Sequence, residues 1–296
     1  VVNSAGTDVV VLVRVGDGTS QTPDVVTDDG AGLAGLAADL NNDGLPDFVS
    51  TQVNDNELRI ALGNGDGTFT EGQAFPFDNE PDAVRAADFN GDGDVDLLAF
   101  EAGADEIFLL RGNGDGTFAE PQPLFATDDI ADFAVDDVDD DGVADLLVLA
   151  GGFSSGSLLI LLGDGDGSFA EPLGADVPNE PLRLRLTDVD NDGNLDAVVA
   201  AGQFFAEVAT LLGNGDGTFG ETLSTSTGLD ANGLDVGDID NDGQTDAVAV
   251  SSSGEFSVLL GNGDGTYSEQ AQGDLIGFTH DVALGDLDND GNLDLL

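Results

Sequence analysis

Six similar units of about fifty residues fill the chain. Each unit carries short apolar runs set between glycine turns, and none shows a 3.6-residue hydrophobic period. Together these features predict an all-β fold: a six-bladed β-propeller of four-stranded antiparallel blades. Helical alternatives are poor, since 43 glycines punctuate the 296 residues too often.

The repeat is set by a nonapeptide, Asp39-Leu-Asn-Asn-Asp-Gly-Leu-Pro-Asp47, which recurs from Asp88, Asp137, Asp188, Asp238 and Asp286 at intervals of 49, 49, 51, 50 and 48 residues. A second element runs out of phase with it: Gly63-Asn-Gly-Asp-Gly-Thr-Phe69, then residues 112–118, 163–169, 213–219 and 261–267, with a worn copy at 15–19. The fourth unit reads most clearly. Leu182–Leu186 alternates apolar residues with arginine, as a strand does. The nonapeptide follows, then Ala197–Ala201, small and apolar throughout, as in a strand buried on both faces. A turn at Gly202–Phe205 leads to a third strand, Val208–Leu212. The glycine turn leads to a fourth, Thr218–Ser224, and a variable link enters the next unit at Leu234.

The chain stops two residues into a second strand, at Asp294-Leu-Leu296, and opens with Val1-Val2-Asn3-Ser4, which resembles the rest of that strand. The expectation is therefore one propeller domain over 1–296, its closing blade shared between the two ends. The absence of methionine implies a processed or excerpted chain.

Within the nonapeptide, aspartate occupies position one (Asp39, Asp88, Asp137, Asp188, Asp238, Asp286), position five (Asp43, Asp92, Asp141, Asp192, Asp242, Asp290) and position nine (Asp47, Asp96, Asp145, Asp196, Asp246, Asp294). Position three is Asn41, Asn90, Asp139, Asp190, Asp240 and Asp288, and position six is always glycine. Three or four carboxylates so close together repel one another unless a cation lies between them. Oxygen ligands at alternate positions with a glycine at six are what calcium loops use. An EF-hand is excluded, because its twelfth-position Glu falls on Ser50, Ala99, Val148, Val199 and Ala249. Position nine must take that role in a loop joining two strands. Side chains at one, three, five and nine are the predicted calcium ligands. By analogy with the EF-hand, a backbone carbonyl joins them at position seven (Leu45, Asp94, Val143, Asn194, Gln244, Asn292). Up to six calcium ions are expected, one per repeat, and magnesium suits such cages less well.

These six loops, each followed by an apolar strand and later by a Gly-Asn-Gly-Asp-Gly-Thr-Phe turn, resemble the FG-GAP/VCBS repeats. That family includes the calcium-binding blades of integrin α-subunits. The resemblance covers essentially the whole chain. It implies a β-propeller with calcium in strand-connecting loops, commonly in secreted or cell-surface proteins. No Gly-Ala-Pro occurs, and all six loops carry the motif. The match is therefore nearer the bacterial and archaeal repeat, and no integrin ligand site carries over.

The glycine turn lacks the lysine and following helix of a phosphate loop, so it reads as a tight hairpin whose aromatic packs between blades. His280, the single histidine, reads as a surface residue. With no cysteine and no Gly-x-Ser-x-Gly elbow, no catalytic residue is assigned, and a non-enzymatic protein is expected. Sixty acids against six arginines exclude a nucleic-acid surface, and no apolar run approaches the ~18 residues of a membrane span.

Strand parity places the calcium loops and glycine turns at one end of each blade. The variable links lie at the other: Thr51–Asn56, Gly152–Gly156, Asn79-Glu-Pro81, Asn179-Glu-Pro181 and Ile276–Asp281. A partner, protein or glycan, is expected at the variable end. The function expected is a calcium-stabilised extracellular binding or structural module for adhesion or scaffolding, monomeric and without cofactors other than calcium. The alternative is a lectin, or the non-catalytic propeller of a polysaccharide-active enzyme. Its weakness is that sugar sites favour Trp or Tyr, of which only Tyr267 is present.

Calcium does not account for the acidity. The loops use 22 of the 60 acids as side-chain ligands, and six divalent ions change a net charge of −54 only to −42. A salt-adapted protein is expected, since at 1 M salt the Debye length falls to about 3 Å and self-repulsion fades. The alternative is a mesophilic secreted protein whose acidity serves solubility only. At saturating calcium, thermal melts in a series from dilute buffer to molar salt should show a large gain in stability. A flat response would defeat salt adaptation.

Overall fold

The computed structural model describes residues 35–52, 55–202, 206–275, 281–286, 288 and 290–295, preceded by four two-residue strands. All regular structure among them is β-strand, with no helix. The chain forms two compact units, residues 1–127 with 165–168, and residues 128–164 with 169–296.

In the first unit, β1 (Val10–Val11) pairs with β4 (Asp24–Val25), and β2 (Arg14–Val15) with β3 (Thr19–Ser20), all antiparallel. This is the hairpin expected around the worn glycine turn. The first sheet is a meander of β5 (Gly35–Ala38), β6 (Asp47–Gln52), β7 (Glu57–Gly63) and β8 (Phe69–Pro76). The second repeats it with β9 (Pro81–Ala87), β10 (Asp96–Glu101), β11 (Glu106–Leu110) and β12 (Gln122–Ala126).

In the second unit, the third sheet runs β13 (Ile130–Asp136), β14 (Asp145–Gly152), β15 (Ser155–Leu161) and β16 (Leu173–Val177). The fourth runs β17 (Pro181–Thr187), β18 (Asp196–Ala201), β19 (Glu207–Leu211) and β20 (Leu223–Ser226). The fifth runs β21 (Gly233–Gly237), β22 (Asp246–Val250), β23 (Glu255–Gly261) and β24 (Tyr267–Asp274), and β25 (Leu284–Gly285) then pairs with β26 (Asp294–Leu295). Five sheets are thus complete among the described residues. The expected closing blade depends on Val1–Ser4 and Leu296, which lie outside them, as do His280, Gln203–Phe205 and Ile276–His280.

The second strand of each sheet is the buried one. Every residue of β10, β18 and β22 is buried, as the continuous apolar runs predict, whereas β8 and β24 are mostly exposed. Small residues on these strands let neighbouring sheets approach: Ala197, Val199 and Ala201 lie in one cluster with Leu147, Leu149 and Leu158 of the third sheet. The opposite face of β18, Val198 and Ala200, joins Ala247, Ala249 and Leu259 of the fifth. Arg185 on β17 reaches Asp132 on β13 (3.8 Å), Asp235 on β21 (3.4 Å) and Asp281 (3.9 Å), so one arginine balances three first-strand neighbourhoods.

Two expectations are corrected. The fourth strand of the fourth sheet is Leu223–Ser226 and not Thr218–Ser224, since only a Gly213–Phe219 bridge forms before it. In sheets two and three the fourth strand also starts late, at Gln122 and Leu173, after Pro121 and Pro172, which have no N–H to give a ladder. The fourth sheet starts at the same place with Thr222 there, so proline is not required for it. In the first and fifth sheets, β8 and β24 begin on the aromatic itself. The variable links are also shorter than expected. Thr51 belongs to β6, Gly152 to β14 and Gly156 to β15, while Pro81 and Pro181 open β9 and β17, at strand starts where a missing donor costs little.

The aromatics that end the glycine turns pack against the preceding sheet, as expected. Phe118 is buried among Leu40, Val49 and Leu58, and Tyr267 among Val189, Val198 and Val208. Of the turn's three glycines, two have positive φ (76° and 88° at Gly65 and Gly67), while the first, Gly63, has none and instead lies against the Pro46 carbonyl. The third also serves packing: a Cβ on Gly217 would meet the Leu162 side chain at 2.6 Å.

This separates two glycines of like conformation. Gly193 (φ 96°) and Gly217 (φ 75°) are both left-handed, but nothing lies within 4 Å of a Cβ on Gly193. Gly193→Ala should cost about 1 kcal/mol of backbone strain. Gly217→Ala should cost about 1–3 kcal/mol more from overpacking. Urea melts of the two variants in chelator check the order.

Candidate metal centre

Each nonapeptide joins the first strand of a sheet to the second, and its turns are held by its own carboxylates. Position one accepts from the N–H groups of positions five and six: Asp43 N and Gly44 N reach Asp39 at 3.1 and 2.8 Å, and Asp141 N and Gly142 N reach Asp137 at the same distances. Position five accepts from position seven, as in Asn194 N to Asp192 Oδ1 and Gln244 N to Asp242 Oδ1, both 2.8 Å. These are Asx turns, which fix the loop without metal. Position four is left-handed wherever φ is given for it, at Asn42, Gly91, Asp140, Asn191 and Asn241 (59°, 72°, 58°, 61° and 62°). That explains why only Asn, Asp or Gly occupies it.

Position nine opens the second strand and is buried: Asp47, Asp96, Asp145, Asp196 and Asp246 are at most 1% exposed. Both its oxygens accept backbone N–H groups. Oδ2 takes position two of its own loop (Val189 N to Asp196, 2.8 Å), and Oδ1 takes the first glycine of its sheet's glycine turn (Gly213 N to Asp196, 2.7 Å). The same pair recurs at Asp47, Asp145 and Asp246 with distances of 2.8–2.9 Å, and at Asp96 with 3.3 and 2.7 Å.

The predicted ligands converge to different degrees. Carboxylate oxygens of positions one, three and nine lie within 4.8 Å of one another in Asp137/Asp139/Asp145, Asp188/Asp190/Asp196 and Asp238/Asp240/Asp246. In the last loop the trio is Asp286, Asp288 and Asp290, with Asp294 on β26. In the first two loops the amide at position three turns to a carboxylate: Asn41 Nδ2 donates to Asp43 (3.0 Å) and Asn90 Nδ2 to Asp96 (3.2 Å). An amide there relieves part of the repulsion that a cation would relieve in the other four.

The electrostatics fit a divalent cation. Burial, and then the charges of Asp139 and Asp137, push Asp145 up to about 6 against two backbone hydrogen bonds that pull it down. Asp96 and Asp196 are raised by burial in the same way, as are Asp139 and Asp190, where the neighbouring position-five carboxylate adds to it. The glycine turns behave differently. The Thr68 hydroxyl and N–H hold Asp66 below the usual carboxylate range, and Asp115, Asp216 and Asp264 are held likewise. Those aspartates are spent on their own turns, as the hairpin reading requires.

The model for the FG-GAP-like repeat matches five overlapping stretches, residues 39–99, 88–148, 137–199, 188–249 and 238–296. The chain belongs to the FG-GAP-like repeat family. No curated protein matches. Among solved structures, the FG-GAP chain is similar to a protein from Lactobacillus plantarum (12% identity over 88% of this chain and 76% of that one, TM-score 0.65). It is similar to a protein from Bacteroides uniformis named as a candidate 6-phosphogluconolactonase (14%, 89% and 78%, TM-score 0.64). It is also similar to BBS1N, solved in complex with ARL6DN (14%, 88% and 74%, TM-score 0.62). At such identities the likeness is one of β-propeller fold alone.

The raised carboxylates give a pH dependence with a definite sign. A metal-free native state whose Asp145 titrates near 6, against about 3.9 unfolded, binds more protons than the unfolded chain between those values. Stability in chelator should therefore rise as pH falls from 7 through 6 toward 4, and Asp139→Asn should flatten that rise. With calcium bound, protons compete with the ion, so stability should fall over the same window. Melts at constant ionic strength, with and without calcium, check both signs.

Proposed function

We propose that this FG-GAP protein is a calcium-stabilised extracellular propeller that serves as a binding or structural module. The observation that carries this reading is the convergence of three carboxylates in each of four loops, around a buried position-nine aspartate in three of them. Calcium would be held by side chains at positions one, three, five and nine with the carbonyl at seven, and it would neutralise the charge each loop concentrates. Extracellular modules of this kind bind calcium at ~10⁻⁴–10⁻³ M, a range matched to calcium outside the cell. Positions with Asp at three should bind more tightly than the two with Asn.

The surface offered to a partner is the end of each sheet opposite the calcium loops. There Phe153, at the tip of the β14–β15 hairpin, is 75% exposed. Tyr267 is buried, and burial pushes its hydroxyl up to about 12, so it is not available to stack on a sugar. This favours a protein partner over a glycan. Adhesion or scaffolding is the role proposed.

Chelator should lower the melting temperature sharply, and calcium should restore it more effectively than equimolar magnesium. An unchanged melt in excess chelator would sink the proposal.

A further inference from the structure

Side chains at position four do not stay within their own loops. In the first unit, Asn42 Nδ2 donates to Asp94 Oδ1, position seven of the next loop, at 2.9 Å. In the second, Asn191 Nδ2 donates to the carbonyl of Gly243 (3.3 Å) and to Gln244 Oε1 (3.4 Å), positions six and seven of the following loop. Asn241 Nδ2 donates to Asn292 Oδ1 at 2.9 Å, again position seven of the next. Thr245 Oγ1 donates back to the Asp188 carbonyl at 3.3 Å.

A second route joins successive loops through the backbone. Asp145 accepts from Val138 N (2.9 Å), the Val138 carbonyl accepts from Gly217 N (3.3 Å), and Gly213 of that turn donates to Asp196 (2.7 Å). The first unit repeats it from Asp47 through Leu40 and Gly116 to Gly112 and Asp96. Each path begins and ends on a position-nine carboxylate, one from each of two successive loops.

We propose that neighbouring loops bind calcium cooperatively, with the position-four amide as the element that couples them; this rests on the calcium reading above. An amide at position four can donate only if the next loop holds its glycine at positive φ and its position-seven residue in place. A cation filling that next loop fixes both. The first loop is then partly ordered before its own ion arrives and loses less conformational entropy on binding it. By linkage the effect is reciprocal. The opposing effect is charge, since a bound divalent ion makes the neighbouring site less attractive to a second. These loops are exposed, and at 0.15 M salt charges separated by more than about 8 Å are largely screened. Screening removes part of this repulsion, and the proposal is that the hydrogen-bonded route outweighs what is left.

The test follows loop 188–196 by hydrogen exchange and mass spectrometry of the full chain, titrated with calcium at 0.15 M salt. Asp238→Asn with Asp240→Asn disables the following loop without touching this one. It should raise the calcium midpoint of loop 188–196 by about fivefold or more, the lower end of usual coupling. Asn191→Gly keeps the left-handed conformation, as Gly91 does naturally, and removes only the amide. It should produce a similar rise, and adding it to the double variant should change little further. Retained protection of β18 and β22 shows that the variants fold. An unchanged midpoint in both, with loop 188–196 still responding to calcium, overturns the coupling and leaves the calcium reading intact. Loss of the calcium response in the parent chain overturns both.

Discussion

The fold depends on a buried carboxylate accepting two backbone N–H groups from different parts of one sheet. The position-nine aspartate lies where the nonapeptide loop, the second strand and the glycine turn meet, and in five sheets it ties all three together. A charged acceptor makes stronger hydrogen bonds than a neutral one. Burying that charge is costly unless it is compensated. Here the two N–H groups compensate in part, and burial still holds the carboxyls of Asp96, Asp145 and Asp196 above the usual range, which shows the remainder. A divalent cation would act on that remainder. The acidic loop and the hydrophobic core are therefore coupled within each repeat, because the residue that closes the loop also opens the most buried strand.

Packing between repeats follows from the same geometry. The glycine turn held by position nine places its third glycine against the preceding sheet, where a side chain would collide with Leu62 at Gly116 or Leu162 at Gly217. The aromatic that ends the turn then fills the space beside it, as Phe118 does among Leu40, Val49 and Leu58. Small side chains on the second strands complete the arrangement. An acidic loop and an apolar interface are thus two ends of one construction, which is how a chain with 60 acids and 6 arginines keeps a dry core.

Much of this was legible in the sequence, because a repeat states its own boundaries. The five complete sheets, the buried second strands and the aromatic packing all follow from the register of the two motifs. Less legible were features that depend on a neighbour. The position-four residues look like variable loop positions until their left-handed φ and their reach into the next loop are seen together. The first glycine of each turn looks like another turn residue, yet it is needed for close approach to a carbonyl, as Gly63 is to Pro46. The late start of the fourth strand, which occurs after proline in sheets two and three and without it in sheet four, has no signal in the fourth unit's own residues.

The six repeats also act as an internal substitution experiment. Position three carries Asn in two loops and Asp in four, and position seven accepts Leu, Asp, Val, Asn and Gln, whereas position nine is Asp in all six. Metal ligation alone does not explain that ranking, because an asparagine oxygen can serve a hard cation in either place. The hydrogen bonds do. Position three receives one N–H, from position five, and an amide oxygen meets that need, as Asn41 does at 3.0 Å. Position nine receives two N–H groups, one on each oxygen. An amide could accept one of them but would turn its own N–H₂ toward the other, leaving a buried donor facing a donor. The fold alone therefore requires aspartate at position nine. The choice between Asp and Asn at position three remains free to set how much charge, and so how much need for a cation, each loop carries.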